Sequence, residues 1–307
     1  MSPLRAALAD YLTVRRALGY KLERAEKLLG QFITYIEERG ARTITVEHAL
    51  SWATLPGGGA AWHALRMSVV RSFAAHLQTI DSACEVPPAA LLPDPPHRAT
   101  PFLYSDEQIA ALIEAASTLR YAHRAATYRT LVGLLAVTGM RIGEALALDR
   151  GDVNPKEGTI LVRETKFAKS RELPLHTSAI ETVLRYLGRT DRPRAAASTD
   201  AVFVSARSAR LAYRSASGTF TRLVDRAGIE PRSASCRPRL HDLRHSFAVR
   251  TILDAYRDGG EPQERLALLS TYLGHADPAH TYWYLSAAPE LMGLAAGRLD
   301  RHLGARS

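Results

Sequence analysis

Apolar residues recur along the first 85 residues at helical intervals. Leu8, Tyr11 and Leu12 fall on one line with Arg15, and Leu28, Leu29, Phe32, Ile33 and Ile36 repeat with a period of about 3.6. Gly40, after Glu37-Glu38-Arg39, predicts a stop. Thr45 predicts a cap before Ala49, Leu50 and Trp52, and Pro56 to Gly59 predicts a turn. Leu65, Val69, Phe73 and Leu77 mark a fourth helix, with Arg66 and Arg71 off that face. Residues 1–85 thus read as a small all-α module with exposed arginines.

Residues 86–101 carry six prolines in VPPAALLPDPPHRATP. Proline lacks the N–H and restricts its predecessor, so this stretch reads as a semi-rigid linker rather than helix or central strand. The second part spans 102–307. Ser105 to Gln108 is a capping-box pattern before Ile109, Leu112 and Ile113. A buried helix is predicted from Tyr128 to Val137, ended at Thr138-Gly139, with another from Arg141 to Leu148. GTILVRE (158–164) and RELPL (171–175) predict a hairpin. Helices are predicted over 177–187, 241–253, 266–273 and 289–303, and 189–240 reads as loops and short helices. The fold class is mainly α with one small antiparallel β-sheet.

Composition narrows the function. Hydrophobic residues make up 46% and charged residues 23%, which fits a globular chain and excludes a disordered one. Two cysteines, Cys84 and Cys236, form no paired motif, as expected in a reducing cytoplasm. The apolar run Leu131 to Met140 is far short of a bilayer span, so no membrane association is expected, and no signal peptide is read. The net charge is +9, of which residues 1–85 hold +2 and 86–307 hold +7. That surplus suits a polyanionic partner, nucleic acid first, although an Arg-rich composition alone could also produce it.

No phosphate-cradling GxxxxGK[ST], GxSxG elbow or HExxH motif is present. The candidate chemistry is a set of cations and one tyrosine. Arg141, in TGMRIGE, sits where a helix start favours an anion, with Glu144 placed to hold its guanidinium; a plain surface ion pair fits the fragment too. His241 and Arg244, in HDLRH, are spaced for one helix face, with Leu243 and Phe247 toward the core, and together suit a phosphodiester. His275 follows Leu273-Gly274, and Tyr284 stands nine residues later in TYWYLS, with Tyr282 beside it. A tyrosine oxygen can attack phosphorus and store the bond, given nearby cations. Lys166, in TKFAKSRELPL, falls in the predicted hairpin turn. Each fragment alone also fits a solvated or packing role.

Taken in order, Arg141, Lys166, HxxR, LGH and Tyr284 resemble the tyrosine recombinase (phage integrase) family, in the contexts TGMRIGE, TKFAKSRELPL, RLHDLRHSFA and YLGHADPAHTYWYL. The resemblance covers about 103–285 by motif. One departure is the stretch DAYRDGGEPQER between Arg244 and His275, expected as a loop insertion.

The resemblance implies a two-domain clamp around double-stranded DNA, with 1–85 as the α-helical core-binding domain and 102–307 as the catalytic domain. It implies that Tyr284 attacks the scissile phosphate and forms a 3′-phosphotyrosyl link. Arg141 and Arg244 would hold the non-bridging oxygens, His275 would add a donor, Lys166 would protonate the departing 5′-oxygen, and His241 would assist proton transfer at the tyrosine. No metal, cofactor or ATP is implied. Arg207, Arg210, Arg214, Arg232, Arg237 and Arg239 are expected on the DNA backbone. An apolar stripe at 289–303 is expected to act as an exchange helix in a homo-tetramer on DNA. No arm-binding module is expected ahead of residue 1, an expectation that favours a simple recombinase or mobile-element enzyme. A type IB topoisomerase-like enzyme and a catalytically idle DNA-binding protein of the same fold are the alternatives.

Overall fold

The structure is a computed structural model and describes residues 2–93, 99–163, 170–193, 199–258, 262–274 and 293. The chain divides into two compact units, Met1–Arg98 and Ala99–Ser307.

The first unit is built from α1 (Pro3–Ala17), α2 (Glu23–Glu37), α3 (Val46–Ala53) and α4 (Ala60–Gln78). The Ser2 hydroxyl caps α1 by accepting from the Arg5 N–H, and Thr45 caps α3 by accepting from His48 N–H. Leu29, Phe32, Ile33 and Ile36 of α2 pack with Trp52, Met67, Val70 and Phe73 into one core. The buried stripe of α4 is shifted from the expected one. Arg66 lies inside it, only 9% exposed, with its guanidinium 4.2 Å from the Trp52 ring centroid. Its planar cation stacks on an indole, so the charged residue can occupy an apolar line. Beyond α4, Val86, Leu91 and Leu92 pack against this core. Arg71 fastens the same stretch by donating to the carbonyls of Pro87, Pro88 and Ala89 at 2.8, 2.8 and 3.2 Å.

The second unit contains α5 (Asp106–Ser117), α6 (Ala122–Thr138), α7 (Ile142–Ala147), α8 (Thr177–Leu187), α9 (Tyr213–Arg226), α10 (Asp242–Arg257) and α11 (Pro262–Leu273). Ser105 and Gln108 form the full capping box on α5. The sheet has three strands rather than a hairpin's two: β1 (Val153–Asn154), β2 (Thr159–Val162) and β3 (Arg171–Pro174), antiparallel in that order. The pairs Ile160↔Leu173 and Val162↔Arg171 fix the register and send Ile160, Val162 and Leu173 into the core with Leu131, Leu135, Phe203 and Leu243.

The structure departs from the expected elements in two places. The region 189–240 contains the 14-residue α9, whose buried Ala216, Thr219, Phe220, Leu223 and Val224 keep helical spacing. The flanks of the stretch 254–265 are helix rather than loop: α10 continues to Arg257 and α11 begins at Pro262, a residue suited to a first helical turn, while 259–261 lie outside the described residues. The opening of the unit is stitched to residues far along the chain. The Pro101 carbonyl accepts from Cys236 Sγ, the Leu103 carbonyl from Arg232, and the Tyr104 N–H donates to Ser246 Oγ. Among the described residues no helix is long and apolar enough to cross a membrane.

Candidate active site

Helix α6 ends because Gly139 takes φ 59°, the left-handed conformation open to glycine. The chain then turns through Met140 into α7. At its start the Arg141 main-chain N–H donates to Glu144 Oε2 at 2.9 Å, and Arg141 Nη1 donates to Glu144 Oε1 at 2.8 Å. Glu144 therefore holds the guanidinium as expected, but it also occupies a main-chain donor that the sequence reading reserved for an anion. The Arg141 side chain remains 37% exposed.

Arg244 differs sharply from its sequence neighbour His241. His241 is exposed at the start of α10, whereas Arg244 is 2% exposed. The two were expected to project together from one helix face; the structure leaves His241 exposed and buries Arg244. Arg244 Nη1 donates to the Gly139 carbonyl at 2.8 Å, and Nη2 donates to the Leu273 carbonyl at 2.8 Å. These carbonyls close the C-terminal ends of α6 and α11, where the helix dipoles favour a cation. One buried guanidinium thereby joins the turn before Arg141 to the residues before His275. The His241 ring meets the buried His245 ring edge-on at 4.8 Å. Asp242, fully buried, accepts from the Arg239 main-chain N–H and its guanidinium at 2.9–3.0 Å. Burial pushes the Asp242 carboxyl pKa up, with the Arg239 contacts opposing it.

A residue outside the expected set completes the cluster. Arg171, on β3, donates through Nη2 to Glu144 Oε2 at 2.8 Å, through Nη1 to Oε1 at 3.2 Å, and through Nε to the Tyr272 carbonyl at 2.9 Å. Burial pushes the Glu144 carboxyl pKa up, but the hydrogen bonds from Arg171 and the Arg141 main chain outweigh it, and the net position is below the ordinary value. A signal for Arg171 existed in the sequence. It shares strand parity with the buried Leu173, so it had to face inward and find a partner.

Lys166, His275 and Tyr284, like Tyr282 and, apart from Gly293, the stripe 289–303, lie outside the described residues. The arginines expected on DNA divide. Arg210 pairs with Asp149, Arg232 bonds the Leu103 carbonyl and Arg239 pairs with Asp242, so these three are used within the fold. Arg207, Arg214 and Arg237 are exposed, and among the described residues none forms an ion pair.

The model of the Phage integrase family matches residues 102–290. The chain is 40% identical to a putative integrase/recombinase of Sinorhizobium fredii, with 98% of each chain covered. It is 29% identical to the tyrosine recombinase XerD of Mycobacterium tuberculosis, with 90% of each covered. Among solved structures, the XerH site-specific recombinase bound to palindromic difH substrate, in a post-cleavage complex, superposes with a TM-score of 0.63 at 20% identity, covering 89% of this chain and 78% of that one. A lambda integrase dimer bound to a COC′ core site gives a TM-score of 0.59 at 20% identity, covering 92% and 76%. At these identities the structures share the fold.

Proposed function

The chain belongs to the phage integrase family and is a tyrosine-type site-specific recombinase; from that premise we propose that it cleaves and rejoins duplex DNA through a 3′-phosphotyrosyl intermediate. The Tyr284 oxygen bonds to the scissile phosphorus as the phosphorus–O5′ bond breaks. Lys166 gives a proton to the departing 5′-oxygen, and His241 assists removal of the tyrosine proton. Arg141, Arg244 and His275 hold the non-bridging oxygens and meet the charge that develops in the transition state. The phosphotyrosine keeps the bond energy, so a 5′-hydroxyl from a partner strand reverses the step without a nucleotide.

The observation that carries this reading is the pinning of Arg244 between the Gly139 and Leu273 carbonyls. It supports a site in which the segments leading to Arg141 and His275 converge on one fixed cation. A nicked suicide substrate, carrying a site selected from DNA the protein occupies, tests the chemistry. Tyr284→Phe is expected to abolish the covalent adduct while DNA binding stays near wild type, and Tyr282→Phe to retain the adduct. The reverse pattern would move the nucleophile to Tyr282.

In the same reading residues 1–85 form the core-binding half of the clamp. The apolar stripe at 289–303 docks on a neighbouring protomer within a tetramer on paired sites. Deletion from Pro289 should then leave single half-site binding intact in native gel shifts and remove cooperative occupancy of paired half-sites. Unchanged cooperativity in the folded truncation would assign the stripe to packing on its own unit.

A further inference from the structure

We propose that Arg171 is a positioning residue that sets the catalytic cations through two anchors, the Glu144 carboxylate and the Tyr272 carbonyl. The inference rests on the function proposed above. Its guanidinium is spent inward on three acceptors, Glu144 Oε1, Glu144 Oε2 and the Tyr272 carbonyl, and its side chain is only 15% exposed. Glu144 is the group that holds Arg141. Arg171 stands five residues after Lys166, and Tyr272 stands three before His275. One planar fork thus fastens the strand that follows the lysine segment, the helix start that presents Arg141 and the helix end that leads to His275.

A second feature is built around the same guanidinium. Gly274 has φ +68°, and a β-carbon there would stand 3.1 Å from Arg171 Nη1. At Gly274 the chain therefore passes close against Arg171, and a β-carbon would fit only if the guanidinium gave by a few tenths of an ångström. Removing the fork leaves both Glu144 oxygens to Arg141 alone. That carboxylate then competes more strongly with the phosphate for the Arg141 guanidinium, and the α11 end loses its tie to β3.

The test compares Arg171→Gln and Arg171→Lys in single-turnover cleavage. One suicide substrate has an ordinary scissile phosphodiester and the other a methylphosphonate at that position. The methyl group removes one anionic oxygen, so less charge remains for Arg141 to hold. Arg171→Gln is expected to slow cleavage of the phosphodiester by about 10–100-fold, the scale of an ångström-level misplacement. That loss should shrink on the methylphosphonate, with half-site affinity in gel shifts retained. Arg171→Lys keeps the charge but cannot span Glu144 and Tyr272, and should fall between wild type and Arg171→Gln. It decides the matter if Arg171→Gln fails to fold. Wild-type cleavage in a folded variant, or equal losses on both substrates, would overturn the positioning role. Failure of wild type to form an adduct on either substrate would instead overturn the proposed function.

Discussion

A β-carbon on residue 139 would sit 2.4 Å from the Phe247 ring, at a φ of +59° that L side chains rarely adopt. Gly139→Ala combines a left-handed cost of about 1–2 kcal/mol with overpacking of roughly 1–3 kcal/mol. Its carbonyl also supports Arg244, so the expected outcome is a melting temperature lowered by several degrees and slower adduct formation. In a Phe247→Ala background, which itself loses the ring stacked on Tyr272, Gly139→Ala should cost less melting temperature but nearly as much cleavage, because the clash is gone and the dihedral is not. No loss of either in that background would show that the ring contact alone matters. The helix stop at Gly139 was legible, since glycine after a buried apolar run has one common reading. The burial of Arg244 was not, because its partners are main-chain carbonyls 105 and 29 residues away, which no side-chain motif encodes.

Elements with a strong apolar period were readable, and those with mixed stripes were not. The predicted 177–187 helix coincides with α8. Helix α9 was hidden because the small Ala216 and the polar Thr219 occupy two of its inward positions, with Thr219 satisfied by Arg124 Nη2 at 2.9 Å. Strand β1 has two residues and leaves no periodicity to read. Within α6, His123 is buried, stacked on Tyr186, and within 3.4 Å of the Val204 carbonyl. Burial, aided by the Arg192 and Arg189 charges, holds its pKa below the ordinary 6.5, against the Val204 contact and Asp191. Below pH 6.5 the unfolded chain therefore takes up a proton that the folded chain resists, and stability falls as pH drops toward the folded value. Thermal melts from about pH 7 down to about pH 5.5 should show this loss, and His123→Gln should flatten that part of the curve. Parallel curves for the two proteins would refute it.

At the scale of the whole molecule, the break in composition at the proline-rich stretch was legible, whereas the clasp on its first residues was not. Arg71 reads as one more surface cation until the carbonyls of Pro87, Pro88 and Ala89 are seen around its guanidinium. The surplus of charge in residues 86–307 likewise resolves only in three dimensions, into arginines tied to partners within the fold, such as Arg210 and Arg239, and arginines such as Arg207 and Arg214 that form no ion pair among the described residues. The stitching at the opening of the second unit carries a consequence of another kind. Pro101, Leu103 and Tyr104 wait for Cys236, Arg232 and Ser246, partners 129–142 residues downstream. The first unit closes its core among residues that leave the ribosome together, and can settle while synthesis continues. The second must hold its opening segment unpaired until more than a hundred further residues have been translated. Such long loop closure is slow, and in this interval the apolar Phe102 and Tyr104 stand uncovered. The second unit is thus the late and vulnerable step in the birth of the chain, completed only when its start and its far helix meet.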